Sequence, residues 1–265
     1  MNWIFLSKGH DEYINLFAKG SSSAVTDIKQ FDYDASVNPI VLRGILKHKI
    51  MKRCWADHRD FYYIDSGYFG NSPGVLNPYG WKVWHRVVKN NLQHDTIIPR
   101  SDDRWKKFNI SLQPRKHGSK IIIAAPDEKP CKFYKIDQQQ WINETVTTVK
   151  QYTDRPILIR QRPADRTTRT HSDPLQKVLQ DDVHALVTFN SVAAVESIMS
   201  GVPAFTLAPA NAASPVASQD LRQIENPYWA DQDKLYSWAC HLAYGQFHNN
   251  ELLNGTALKI LKESV

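Results

Sequence analysis

Val183-His-Ala-Leu-Val-Thr-Phe-Asn-Ser-Val-Ala-Ala-Val-Glu-Ser-Ile-Met-Ser-Gly-Val-Pro-Ala-Phe-Thr-Leu207 is the stretch whose reading decides the fold. It reads as strand, tight turn, helix, glycine stop and strand. Residues 183–189 form a short apolar run, the kind buried on both faces of a parallel sheet. Asn190 and Ser191 fall at the turn, where short polar side chains cap a helix start. Val192, Val195 and Met199 then repeat at helical spacing beside Ile198. Gly201 ends the helix and Pro203 prevents its continuation. Residues 204–208 give the next strand. A helix that starts at the carboxyl edge of a parallel sheet presents unpaired N–H groups and a positive dipole end, so this turn is expected to hold an anion. Glu196, one turn in, is placed to accept hydrogen bonds from a ribose diol. The same residues also suit an ordinary βαβ unit with a polar cap and a solvated glutamate.

Working outward, the pattern from Lys120 is regular. Residues 121–125 read as a strand, 137–152 as a helix, 156–160 as a strand, and 174–179 as a short helix leading into the quoted stretch. Two further helices are expected at 234–246 and 252–262. Strands alternating with helices at this spacing imply a parallel sheet. Upstream, residues 3–6 read as a strand and 11–18 as a helix. Residues 39–46 read as a strand or a strand entering a helix, 47–59 as a basic helix, and 61–65 as a clear strand. Residues 81–88 alternate aromatic and basic side chains and read as an edge strand. Residues 99–107 read as a polar connection and 111–119 as a hinge. The expected division is therefore residues 1–115 and residues 116–265.

The run Asn190-Ser-x-x-x-x-Glu196-x-x-x-x-Gly201-x-Pro203 resembles the donor-binding segment of GT-B glycosyltransferases. It is closest to the capsule-polysaccharide and Kdo-transferase branch and to related phage enzymes that glycosylate hydroxymethylcytosine in DNA. The resemblance implies an α/β, GT-B-like fold: two Rossmann-like domains whose parallel sheets face a cleft, the first binding the acceptor and the second a nucleotide sugar. It gives the diphosphate to Asn190 and Ser191 and the ribose to Glu196. Strand 156–160 ends in Arg160-Gln-Arg162-Pro, where the resembling family has a basic turn that neutralises the leaving diphosphate; Arg160 and Arg162 inherit that role. Arg166 and Arg169 continue the basic loop, and Arg115 and Lys116 are further phosphate candidates.

Composition bounds these readings. The chain has 265 residues, 42% of them hydrophobic, so it can bury one large core or two smaller ones. No apolar run is long enough to span a bilayer, and the first residues look like a strand rather than a secretory leader. Cys54, Cys131 and Cys240 lie far apart and show no metal-ligand spacing, as expected of reduced thiols in the cytoplasm, host cytoplasm for a phage enzyme. Against 27 acidic residues stand 33 Lys and Arg, a net charge of +6. That modest excess fits a polyanionic partner. Phosphate-loop and nucleophile-elbow motifs are absent. Asp32-x-Asp34 and Asp231-x-Asp233 follow no strong apolar strand and read as surface, so metal-independent transfer is expected, with no cofactor beyond a UDP-sugar co-substrate.

Three residues are candidates for the proton chemistry of transfer. Asp65 ends a strand before the glycine-bearing loop Ser66-Gly-Tyr-Phe-Gly-Asn71, where open α/β sheets place their chemistry, and it is the preferred general base. An equally direct reading has it bonding only the loop N–H groups. His10 and Asp11 sit in the first strand-to-helix turn. For the acceptor, Lys8, Lys49, Arg53, Tyr68, Arg86, Arg104 and Lys106 supply basic and aromatic groups suited to tracking phosphates. With the resemblance, they point to double-stranded DNA, with glucose or a pentose such as arabinose added to hydroxymethylcytosine. The alternatives are a surface polysaccharide or lipid-linked glycan as acceptor, and a non-catalytic nucleic-acid-binding protein on the same scaffold.

Overall fold

The computed structural model describes residues 3–71, 83–161 and 175–263. In chain order the strands are β1 (Ile4–Ser7), β2 (Val25–Asp27), β3 (Ile40–Arg43), β4 (Phe61–Ser66), β5 (Trp84–Lys89), β6 (Lys120–Ala124), β7 (Ile157–Arg160), β8 (Val183–Thr188), β9 (Ala204–Thr206) and β10 (Gln246–His248). The α-helices are α1 (Glu12–Gly20), α2 (His48–Ala56), α3 (Asp103–Lys106), α4 (Glu128–Tyr134), α5 (Gln138–Lys150), α6 (Leu175–Val178), α7 (Ala193–Met199), α8 (Gln232–Tyr244), α9 (Asn249–Leu253) and α10 (Thr256–Glu263). No helix among the described residues is long and apolar enough to cross a membrane.

The chain forms two compact α/β units, Met1–Leu92 with Tyr244–Val265, and Gln93–Ala243. The division thus falls earlier than residue 115, and the tail returns to the first unit. Polar side chains explain the first shift. Gln93, Arg104 and the backbone of Lys116 all bond within the second unit, to Asn190, Ala243 and Gly201. Apolar burial explains the second: Phe247, Leu252, Ala257 and Leu261 share a core with Phe5, Ile14 and Phe17.

The first unit holds a six-stranded sheet in the order β10-β5-β4-β3-β1-β2. Strands β1 to β4 run parallel, whereas β5 is antiparallel to β4 and β10 to β5. The expected parallel sheet is β1 to β4, with β5 and β10 added antiparallel at one side, and the edge-strand reading of 81–88 fails, since β5 has a neighbour on each side. Trp81 itself lies outside the described residues. Helix α1 forms because Asp11 caps it, accepting from the Ile14 N–H at 3.3 Å, and because Tyr13, Ile14, Phe17 and Ala18 make one buried face. Each large side chain so buried contributes roughly 1.5–3 kcal/mol. The expected helix at 252–262 is instead α9 and α10, broken at Gly255, whose φ of 83° is costly for other residues.

The second unit holds a four-stranded parallel sheet, β7-β6-β8-β9. Every residue of β8 is buried, matching a strand covered on both faces. Ile121, Ile123, Val187, Phe205 and Val149 of α5 form its core. Helix α4 was not expected; Pro130 sits in its first turn, where a missing N–H costs nothing.

The tail is pinned by one close approach. A Cβ on Gly20 would lie 2.0 Å from the Leu252 carbonyl oxygen, at the contact between α1 and α9. Gly20→Ala is therefore expected to lower stability by roughly 1–3 kcal/mol, read as an earlier urea midpoint, although alanine favours helices in general.

Candidate functional site

In the second unit the connection from β6 leads to β7 on one side and that from β8 leads to β9 on the other. The carboxyl ends of β6 and β8 are thus a topological switch point, the place where open α/β sheets bind ligands. The register fixes what meets there: Ala124 pairs with Arg160 on one side and Thr188 on the other. The Thr188 hydroxyl donates to the Ala124 carbonyl at 2.8 Å and the Ala125 N–H to the Arg160 carbonyl at 3.0 Å. With neighbouring strands about 4.8 Å apart, Arg160 and Thr188 are about 10 Å apart across β6.

The turn after β8 is held by two buried carboxamides. Gln93 Nε2 donates to the Asn190 carbonyl at 2.7 Å, while its Oε1 accepts from the Ala212 N–H at 2.9 Å. Asn211 Nδ2 donates to the Ser191 carbonyl at 3.2 Å, and its Oδ1 accepts from the Ala213 N–H at 2.9 Å. In a planar trans peptide the C=O and the following N–H point in opposite directions. Securing those carbonyls therefore turns the N–H groups of Ser191 and Val192 away from Gln93 and Asn211. Contrary to the expectation of unpaired groups, the next donors are bonded: the Ala193 N–H goes to Ser191 Oγ at 3.2 Å and the Ala194 N–H to the Ser191 carbonyl at 3.3 Å. Glu196 is half-buried in α7 and accepts from Gln176 Nε2 of α6 at 2.6 Å. Phe189, Tyr134 and Trp141 form an edge-on aromatic cluster beside the turn.

Arg160, Asn190, Ser191 and Glu196 therefore gather at one end of one sheet. Arg162, Arg166 and Arg169 lie outside the described residues. Arg115 belongs elsewhere. Its neighbours Gln113 and Lys116 bond the Met199 and Gly201 carbonyls at the far end of α7, and its charge acts on His184 at the start of β8. A parallel sheet puts that end opposite the turn, so Arg115 is corrected to the amino pole. The 111–119 segment likewise runs inside the second unit and is not a hinge between units.

In the first unit the switch point lies between β1 and β3. The Asp11 carboxylate both caps α1 and meets Arg43 Nη1 at 3.3 Å. His10 is exposed, with its Nδ1 3.3 Å from Asn15 Nδ2. That amide nitrogen also donates to the Asp11 carbonyl at 2.9 Å, which fixes it as a nitrogen and makes His10 Nδ1 the acceptor. The neutral ring then carries its proton on Nε2 and offers a donor. Asp65 accepts from the Tyr63 hydroxyl at 2.8 Å, the Ser66 N–H at 2.7 Å and Arg86 Nη2 at 3.1 Å. Burial raises its pKa, but Arg86 and those hydrogen bonds outweigh it and hold the carboxyl below its usual range. A base so fastened and so acidic is weak; the geometry is that of a clamp between β4 and β5.

The residues read as DNA contacts fare differently from one another. Lys8 and Lys49 are exposed. Arg53 stacks on Tyr33 and pairs with Asp34 and Asp57. Lys106 pairs with Asp102 at 2.9 Å. Tyr68, Arg86 and Arg104 are buried, which corrects their reading as acceptor-facing groups. Arg86 spends its guanidinium on Asp65 and the Ser66 and Leu92 carbonyls, and Arg104 on the Ala243 carbonyl. Asp32, Asp34, Asp231 and Asp233 are exposed, as expected. No cluster of three His, Cys, Asp or Glu that could hold a metal occurs among the described residues.

The chain shares its fold with a Kdo transferase. It is similar to KpsC of Thermosulfurimonas dismutans, described as a beta Kdo 2,4 transferase, with a TM-score of 0.50 over 90% of each chain at 9% identity. It also aligns to the beta Kdo 2,7 transferase of the same organism, at a TM-score of 0.43 and 8% identity over 98% of this chain and 99% of that one. No family model matches the sequence, and no curated protein does. The likeness to the 2,4 transferase is one of architecture, two Rossmann-like units of the GT-B kind.

Gln93 and Asn211 escaped the sequence reading, because a lone polar residue in a segment without periodicity gives no signal of burial. The same holds for His94, whose ring lies edge-on to buried His241 at 5.2 Å. Burial, with some help from the Arg100 charge, lowers His241 from 6.5 to about 4. The unfolded chain therefore binds a proton that the folded chain refuses between those values. Stability should fall as pH drops through that window, by about 3 kcal/mol in all. Denaturant titrations at pH 7 and pH 4 should show this slope, and it should flatten in His241→Gln.

Proposed function

We propose that the chain is a glycosyltransferase that moves a sugar from a nucleotide-sugar donor, held by the second unit, to a glycan acceptor. One observation carries the reading: Arg160, the Asn190–Ser191 turn and Glu196 converge at the switch point of a parallel sheet, in a chain that shares its architecture with a sugar transferase. Such fold-level support is analogy, and the site has to carry the chemistry. As the bond to the anomeric carbon breaks, negative charge builds on the departing phosphate. In this reading Arg160 and the N–H groups of Ser191 and Val192 are the donors for that charge. Glu196, oriented by Gln176, is the acceptor for a ribose diol.

A glycan is favoured over DNA as acceptor because the cations that suggested DNA are largely spent. Arg53 and Lys106 are ion-paired, and Arg86 and Arg104 are buried. The fold neighbour's description names a sugar transferase and no nucleic acid.

A thermal-shift panel of UDP-, CMP-, GDP- and dTDP-sugars tests the donor half: at least one nucleotide class should raise the melting temperature. Arg160→Gln should weaken that binding on the order of 10–100-fold, the loss of one or two charge-assisted hydrogen bonds. No response to any nucleotide sugar sinks the reading. Transfer to hydroxymethylcytosine DNA, and not to oligosaccharides, would replace the glycan by DNA.

A further inference from the structure

At the switch point of the first unit two cations, Arg43 and Lys47, face one carboxylate, Asp11. Arg43 closes β3 and pairs with Asp11 at 3.3 Å. Its guanidinium also lies 4.5 Å above the Tyr13 ring, and its Nε is buried without a hydrogen-bond partner. Lys47, one helical turn further on, is half-buried. Its Nζ reaches a neutral group, the Leu6 carbonyl, at 3.4 Å, and no carboxylate lies within ion-pair distance of it among the described residues. Asp65, the next carboxylate along the sheet edge, is claimed by Arg86. Arg43 and Lys47 thus share Asp11, while the carboxylate of Asp27 stands on the β2 side of β1, in register with Ser7. A half-buried ammonium served by one long carbonyl contact is poorly compensated for the water it has lost. Consistent with that, burial lowers the Lys47 pKa, with Asp11 opposing and Arg43 adding to the shift. On the β1/β2 flank a cavity of about 310 Å³ is lined by Ser7, Gly9, His10, Asn15, Val25 and Asp27, with Arg43 and Lys47 on the other side of β1. That is the lower end of small-molecule sites.

We propose that the β1/β3 crevice is an oxyanion site in which Arg43 and Lys47 hold a carboxylate or phosphate group carried by the acceptor. The word acceptor rests on the glycosyltransferase reading; the anion site does not. Arg43 brings a planar fork that matches two oxygens, and Lys47 a point charge. His10, with its proton on Nε2, supplies a neutral donor at the cavity rim.

The test is binding measured by ligand-observed NMR at constant ionic strength, with sodium glucuronate, inorganic phosphate and glucose as probes. Either anion should bind wild-type protein at concentrations where glucose does not. Glucuronate binding tighter than phosphate assigns a carboxylate-bearing sugar, and the reverse order assigns a phosphorylated one. Lys47→Gln should weaken the favoured anion at least tenfold while the melting temperature stays near that of wild type. Arg43→Gln exposes Asp11 to loss of its partner, so Arg43→Lys, which keeps the charge, serves as its control and should retain most of the binding. Equal response to all three probes, no response to either anion, or undiminished anion binding by Lys47→Gln would overturn the site. Nucleotide-sugar binding without anion binding defeats this inference and leaves the glycosyltransferase reading standing. Anion binding without any nucleotide-sugar response does the opposite.

Discussion

Ala124 is paired in register on both sides, with Arg160 and with Thr188, and that double pairing governs what the second unit can do. Parallel pairing sends every strand the same way, so all carboxyl ends emerge at one pole. Because side chains alternate, a slip of one residue would exchange the buried and open faces of a strand. The bond from the Thr188 hydroxyl to the Ala124 carbonyl holds β6 and β8 in the observed register. Arg160 and the Asn190–Ser191 turn are consequently brought to opposite flanks of the β6 end by strand pairing.

A pole is only as useful as its loops are fixed, and here polar burial supplies the fixing. Gln93 and Asn211 each satisfy a donor and an acceptor with backbone partners. Buried carboxamides cost little when fully bonded and a great deal when they are not. They therefore tie the turn after β8 to the loop after β9 in one geometry. The first unit solves the same problem with charge, through Asp11 with Arg43 and Asp65 with Arg86. Asp11 and Asp65 are committed to holding backbone and cations in place, while Lys47 reaches only the Leu6 carbonyl.

Much of the second unit was legible in the sequence because its elements are local and strongly periodic. The strand, turn and helix from Val183 to Met199 could be placed from apolar spacing, Gly201 and Pro203 alone. What was not legible depended on partners distant in the chain. Strand β10 is three residues, Gln-Phe-His, whose only cause is pairing with β5 far upstream. The alternation of Trp84, His85 and Arg86 looked like an exposed basic edge. Arg86 is buried instead because Asp65 and two carbonyls compensate its charge, and no spacing rule announces that. Arg115 shows the same limit: its charge was visible, but the pole it occupies is set by how 113–116 docks on the end of α7.

The first unit is built from two stretches of chain separated by the whole of the second. During synthesis β1 to β5 leave the ribosome early, yet the strand that covers the outer edge of β5 and the helices that seal α1 come only after Ala243. Until then the β5 ladder and the apolar face of α1 stay open to other partners. The second unit has no such wait, since its residues are contiguous. Order of completion is thus opposite to order of appearance, and the domain begun first is the one finished last.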